Sequence, residues 1–346
     1  MNTFHPGYLS LYSSGELASR ADSLSARLAA CDICPRRCGV NRFAEEPGFC
    51  KSGSLPVVAS WCVHRGEEPP VSGSNGSGAI FFSNCTMRCV YCQNYQISQD
   101  WDSQKRNLIS IDALGERMLE LQGKGCHNIN LVTPTHFIPQ ILQALVWAVP
   151  RGLSIPLVYN TSGYEAVDVI KMLDGIVDIY LPDLRYASSE TAKALSKTAD
   201  YPINAKKAIK EMYRQVGDLL VNKDGVAKKG LIVRHLILPE RLAGSEELIT
   251  WLAKELSSKV TVSIMSQYYP THLSSSFASL RRKITAAEYQ EVVHMVNAAG
   301  MENGWFQEME SAETYLPDFM RTEHPFEANR EDDVTAAVDV YPSLEE

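Results

Sequence analysis

Three cysteines stand close together in "CTMRCVYC": Cys85, Cys89 and Cys92. They follow directly on the apolar run "AIFF" (79–82). Thiolates are the ligands of iron–sulfur clusters, and four are the usual complement of a cubane. Three leave one iron without a protein ligand, and an open metal position is where a substrate can be activated. A structural zinc would close its fourth position with nitrogen or sulfur. No His or Cys occurs in the ten residues after Cys92. The spacing therefore favours an open [4Fe-4S] cluster over structural zinc or incidental core cysteines. A second group, Cys31, Cys34, Cys38 and Cys50, puts four thiols within twenty residues, with Pro35 and Gly39 supplying tight turns. Such a group can wrap one metal. Zinc there would staple a region with little core of its own; an iron–sulfur cluster is the alternative. Cys62 and Cys126 stand alone and read as small buried apolar side chains. In a long chain without a secretory leader, nine cysteines grouped in this way point to metal or redox chemistry rather than disulfides.

The elements that must position the triplet follow a repeating pattern. Residues 1–75 look irregular and end in the loop "GEEPPVSGSNGSG" (66–78), which places a boundary near residue 76. His64, Glu67 and Glu68 sit at the start of that loop, which can cover a site or turn in solvent. From 76 to 309 short apolar strands alternate with amphipathic helices. The strands are "AIFF", "NINLVT" (128–133), "IPLVYN" (155–160), "IVDIYL" (176–181), "GLIVRHLIL" (230–238) and "VTVSIM" (260–265). Helical faces are read from Ile111, Leu114, Met118 and Leu121, and from a capping box of Thr285 with Glu288. Six βα units argue for a parallel sheet covered by helices. Periodicity does not choose between a partly closed barrel and an open sheet. Asn84, Cys85, Thr133, Thr135, Asn160, Asp183, His235 and Gln267 all fall at or just past strand C-terminal ends, where parallel α/β folds build their sites. Arg234 and His235 are neighbours in one strand, so only one can face the interior.

Charge narrows the partners. The net charge is -8, and between Glu310 and Glu346 eleven acidic residues meet two basic ones, so the rest of the chain is near neutral. Residues 310–346 read as an acidic C-terminal extension. A near-neutral body argues against a nucleic-acid surface. "GSNGSG" lacks the lysine of a phosphate loop. No apolar run has the length of a membrane span, and the N-terminus lacks the pattern of a secretory signal, so a cytoplasmic location is expected.

The triplet, with Tyr91 just before its last cysteine, resembles the signature of radical S-adenosylmethionine (SAM) enzymes. "CDICPRRCGVNRFAEEPGFC", "VTPTH", "VYNTSGY", "DIYLPDLRY", "IVRHLILP" and "SIMSQYYP" resemble the pyruvate formate-lyase activating enzyme-like branch, across most of residues 30–310. The resemblance implies a partial parallel (β/α)6 barrel with an N-terminal cysteine-rich metal-binding element. It implies a [4Fe-4S] cluster on Cys85, Cys89 and Cys92 whose open iron chelates SAM, with Tyr91 against the adenine. It implies a SAM pocket at the strand ends, where Asn160, Asp183 and Arg234 are the candidates. Activating enzymes carry Gly-Gly-Glu at the end of the second strand; this chain has Val132-Thr133-Pro134-Thr135, whose two hydroxyls are the expected substitute. Their additional cysteines follow the triplet, whereas here four precede it. The implied partners are a flavodoxin or ferredoxin as electron donor and a protein or peptide substrate, such as a glycyl-radical enzyme. Radical modification of another peptide, an RNA or a small molecule is the alternative, and a non-catalytic iron–sulfur electron carrier is the alternative of another class.

Overall fold

A computed structural model of the chain describes residues 4–309, 317–321, 325–326 and 339–340. Most of the acidic extension lies outside the described residues.

The architecture is a mixed α/β fold around a mostly parallel sheet. Its strands are β1 (Val58–His64), β2 (Ser77–Phe82), β3 (Ile129–Val132), β4 (Leu157–Thr161), β5 (Ile179–Pro182), β6 (Leu220–Val221), β7 (Ala227–Leu236), β8 (Thr261–Met265), β9 (Asn303–Phe306) and β10 (Asp339–Val340). They lie in the order β1-β2-β3-β4-β5-β7-β8-β9-β10, with β6 alongside β7. From β2 to β9 every neighbouring pair on this path is parallel. β1 joins β2 antiparallel and β10 joins β9 antiparallel. β2, β3, β4, β5 and β8 are buried at every residue, as strands covered on both faces must be.

The helices form where the apolar spacing places them. The helix Ile111–Gly123 buries Leu114, Met118 and Leu121, and Ser110 caps it by accepting from Ala113 N at 3.1 Å. The helix Ala286–Ala298 begins with the capping box of Thr285 and Glu288. The helical stretch 187–217 is two helices, Ser189–Ser196 and Tyr201–Val216, because Lys197 takes a left-handed conformation that ends the first.

The structure adds strands on both sides of the expected six. β1 and two helices, Gly7–Ser13 and Glu16–Ala26, lie in the region that reads as irregular. Tyr8, Leu17 and Leu24 from those helices, with Leu28 from the short turn of helix that follows, belong to the same core as Leu114, Ile141 and Tyr180. β9 adds a further parallel strand after the last expected helix. It is four residues long and holds Asn303 and Gly304, so pairing with β8 rather than β-propensity makes it a strand.

Candidate active site

The cysteine triplet sits on the loop that leaves β2. Two backbone bonds seat this loop on the end of the helix Ser189–Ser196: Arg88 N donates to Ser196 O at 3.1 Å and Val90 N to Leu195 O at 2.9 Å. The Arg88 guanidinium ties the turn from inside, donating to Cys85 O and Met87 O, both at 2.7 Å, and to Phe49 O at 2.5 Å.

Hydroxyl, guanidinium and backbone N–H groups surround the sulfurs. Cys89 Sγ accepts from Ser196 Oγ at 3.0 Å and from Arg185 Nη1 at 3.3 Å. Cys92 Sγ lies 3.3 Å from Ser98 Oγ, and Met87 N donates to Cys85 Sγ at 3.3 Å. Burial, with the charge of Cys89 beside it, pushes the Cys92 thiol up to about 12 and raises Cys85 as well. Such thiols ionise on binding a metal. Among the described residues no three His, Cys, Asp or Glu side chains converge as the ligands of a single ion do. A cubane gives each thiolate its own iron and asks for wider spacing than one tetrahedral zinc. Three soft sulfur ligands, with hydroxyl and guanidinium groups hydrogen-bonding to them, thus fit an iron–sulfur cluster.

Beside the triplet opens a cavity of about 470 Å³, a size that takes a cofactor together with a small substrate group. Tyr91, Cys92, Asn160, Asp183, Arg234 and Gln267 line it. β4, β5 and β7 end there side by side, and Asp183 and Arg234 extend the parallel pairing by one bridge. Arg234 Nε donates to Asp183 Oδ1 at 2.8 Å and its Nη2 to Asn160 Oδ1 at 2.6 Å. Arg185 Nη2 donates to Asp183 Oδ2 at 2.5 Å. Burial works to raise the Asp183 carboxyl, but the charges of Arg234 and Arg185 outweigh it and hold it below the usual carboxylate range. Gly163, at φ +78°, lets the loop after β4 close on this carboxylate's backbone; a Cβ there would stand 2.4 Å from Asp183 O.

His235 points to the opposite face of β7 from Arg234. Its Nδ1 is 2.7 Å from Leu184 O and its Nε2 2.8 Å from Ser245 Oγ, so it holds a helix to the sheet. Tyr91 meets Tyr186 hydroxyl to hydroxyl and packs edge-on against Tyr268.

The two threonines part company with the other candidates. Neither Thr133 nor Thr135 is among the residues lining the cavity. Thr133 takes a left-handed conformation (φ 60°), and its N–H is bonded to Asn160 O at 2.9 Å. The Thr135 hydroxyl donates to Glu165 Oε1 at 2.6 Å, and Thr161 donates to the same oxygen. Glu165 is fully buried, and burial pushes its carboxyl up to about 7 against those hydrogen bonds. The Thr135 hydroxyl therefore serves a buried carboxyl rather than the cavity.

Cys31, Cys34, Cys38 and Cys50 line one small cavity next to the triplet loop, together with Thr86 and His136. Burial raises the Cys34 thiol strongly, and the charges of Cys50, Cys31 and Cys38 add to it. The two cysteine groups are neighbours: Arg36 Nε donates to Thr86 O at 3.0 Å, and Asn84 Nδ2 to Ser52 Oγ at 3.0 Å. All nine cysteines are free thiols, and Cys62 and Cys126 are buried, as isolated cysteines should be. Arg185 and Ser196, which touch Cys89, escape sequence reasoning. Arg185 stands two residues after Asp183, but nothing in the sequence says that its side chain turns to sulfur.

No family model matches the chain. Over 278 residues it is 28% identical to the uncharacterized protein MJ0674 of Methanocaldococcus jannaschii, covering 79% of this chain and 75% of that protein. Among solved structures it is similar to SuiB of Streptococcus suis bound to S-adenosylmethionine, with a TM-score of 0.46 and 11% identity over 65% of this chain and 48% of SuiB. It is also similar to HydG, a maturase of the [FeFe]-hydrogenase, with a TM-score of 0.44 and 13% identity over 66% of this chain and 50% of HydG. The chain thus spans about half the length of these two structures. Among the described residues no helix is long and apolar enough to cross a membrane.

Proposed function

We propose that this chain is a radical SAM enzyme whose Cys85, Cys89 and Cys92 hold a [4Fe-4S] cluster beside a SAM pocket. The observation that carries this reading is one placement. Three thiols share a loop at the C-terminal ends of parallel strands, and Cys92 and Tyr91 form part of the wall of a 470 Å³ cavity. When bound, the cluster supplies the electron that splits SAM into methionine and a 5′-deoxyadenosyl radical, which takes a hydrogen atom from the substrate.

The chain's own residues bind, orient and shield. Ser196 and Arg185 stabilise negative charge on Cys89. Tyr91 offers an aromatic wall for the adenine. Asp183, kept ionised by two arginines, has the charge and position to accept from ribose hydroxyls. Thr133 and Thr135 are no longer needed for the SAM ammonium in this reading, since neither lines the cavity.

The finer proposal is that the substrate is a protein or peptide and that the chain activates a glycyl-radical enzyme, with a flavodoxin or ferredoxin as reductant and the cytoplasm as location. It rests on the motif resemblance. Cys31, Cys34, Cys38 and Cys50 are proposed to hold a second metal, zinc or iron–sulfur. Their thiols share a cavity directly beside the triplet loop, although among the described residues no three of them converge as the ligands of a single ion do.

Anaerobic reconstitution with iron, sulfide, SAM and a reductant tests the core of the proposal. The wild-type chain should form 5′-deoxyadenosine, and Cys89→Ala should form none. Turnover that survives Cys89→Ala would take the triplet out of the chemistry. A doublet electron-spin signal on the glycine of a candidate partner would support the finer reading, and its absence would count against that reading alone.

A further inference from the structure

The cavity has an acidic wall that the SAM reading does not use. The loop after β1 turns Glu67 and Glu68 inward, and their side chains are only 9% and 8% exposed. Glu67 Oε1 accepts from Asn160 Nδ2 at 3.5 Å, and Glu67 Oε2 is 3.7 Å from Arg234 Nη1. Glu68 Oε2 stands 3.9 Å from the same Nη1 and, among the described residues, has no hydrogen-bond donor within bonding distance. Both residues line the cavity.

Arg234 is the cation whose charge acts on both carboxyls, and it is already committed. Its Nε serves Asp183 and its Nη2 serves Asn160, both within 2.8 Å. One guanidinium therefore faces three carboxylates and reaches two of them only at long range. Arg185 adds a second cation, but on the far side of Asp183, where it also touches Cys89. Glu67 has Asn130 as a further side-chain partner and the two carboxyls share a hydrogen bond, yet one guanidinium at long range leaves the buried pair short of positive charge, and a binding site is a usual reason such an arrangement persists. Burial raises both carboxyls, Glu68 to about 7, while the charge of Arg234 opposes the rise.

We infer that Glu67 and Glu68 bind a cationic group of the substrate, an ammonium or guanidinium carried on a flexible chain such as a lysine side chain. This inference rests on the proposed function, in which SAM lies against the thiols. Asp183, Arg185 and Arg234 stand between the thiols and the carboxylate pair. The pair therefore faces the part of the cavity left for the substrate. A site built to satisfy a charge rejects an analogue that lacks it, so the cation should decide which substrates enter.

Calorimetric titration of the full-length chain tests this with three probes: N-acetyl-lysine methylamide, its neutral counterpart N-acetyl-norleucine methylamide, and SAM. The lysine compound should bind saturably and the norleucine compound at least about tenfold more weakly. Glu68→Gln, which touches neither Asn160 nor Asp183, should weaken the lysine compound about tenfold and leave SAM affinity within about twofold. The comparison of the two amides on the wild-type chain needs no variant, so a folding defect cannot obscure it. Equal binding of the two amides, or no binding of either, overturns the inference. Loss of SAM affinity in the variant also overturns it, because the pair would then belong to the ammonium of SAM. None of these titrations reads 5′-deoxyadenosine, so their failure leaves the radical reading intact. Lysine binding without SAM cleavage would sink that reading alone.

Discussion

At the scale of single residues, Glu165 shows how a buried titrating group exposes the cost of a site's scaffold. It accepts from Thr135 and Thr161 on one oxygen, and Tyr159 is a further hydrogen-bonding neighbour. The folded chain holds its proton more tightly than the unfolded chain does, because burial lifts the carboxyl from 4.5 to about 7. Its contribution to stability is therefore complete below pH 4.5 and is lost as pH rises through about 7. Glu165→Gln removes the ionisation but keeps the shape. Urea unfolding at pH 5 and pH 8 should show a smaller loss of stability with rising pH in the variant than in the wild type, the difference being on the order of 1–3 kcal/mol. Identical pH dependence would mean that Glu165 titrates normally in the fold. The same residue marks a limit of sequence reading. Asn160, Asp183 and Arg234 gather because strand register brings strand ends together, which periodicity makes legible. The Thr135 hydroxyl goes to Glu165 because a loop five residues beyond Asn160 folds back beneath it, and no spacing rule announces that.

At the scale of elements, the triplet loop owes its shape to its neighbours more than to its own sequence. Arg88 is the clearest case. Its guanidinium satisfies three carbonyls, two in its own turn and one, Phe49 O, in the first cysteine segment. It also lies over the rings of Phe49 and Trp101, with centroids 4.6 and 4.5 Å away. Arg88→Ala leaves buried carbonyls without donors, at about 1–3 kcal/mol for each one that water cannot reach. The variant should melt several degrees lower and, after anaerobic reconstitution, hold less iron per chain than the wild type. Full iron occupancy in a destabilised variant would show that the loop keeps its cysteines in place without this clamp. The capping box at Thr285 was readable because it is local: two side chains three residues apart satisfy each other's backbone. β1 and β9 were not readable, since "VASWCVH" sits among loop-forming residues and "NGWF" contains a glycine. Each becomes a strand through the partner already in place beside it.

At the scale of the whole molecule, the two ends of the sheet divide the work. The thiols, Asp183 and Arg234 stand at the C-terminal ends of the strands, and the N-terminal helices close the other end. Tyr8, with no exposed surface, donates its hydroxyl to Ile155 O at 2.8 Å just before β4, and Asp178, just before β5, accepts from Leu157 N at 2.9 Å. In parallel α/β folds this end carries stability and the opposite end carries chemistry. Tyr8→Phe keeps the ring and deletes the hydroxyl, leaving one half-buried carbonyl short of a donor. It should cost about 1–2 kcal/mol in urea unfolding. Arg234→Lys leaves that end untouched but cannot serve Asp183 and Asn160 together, because an ammonium lacks the planar fork of a guanidinium. On the proposed function, SAM affinity should fall at least about tenfold in Arg234→Lys and stay within about twofold in Tyr8→Phe, measured by calorimetry well below either melting temperature. The separation holds only if strain at one end does not travel along the strands. A loss of SAM affinity in Tyr8→Phe would show that it does travel, through β4 to Asn160. The N-terminal helices would then belong to the site's positioning as well as to the core.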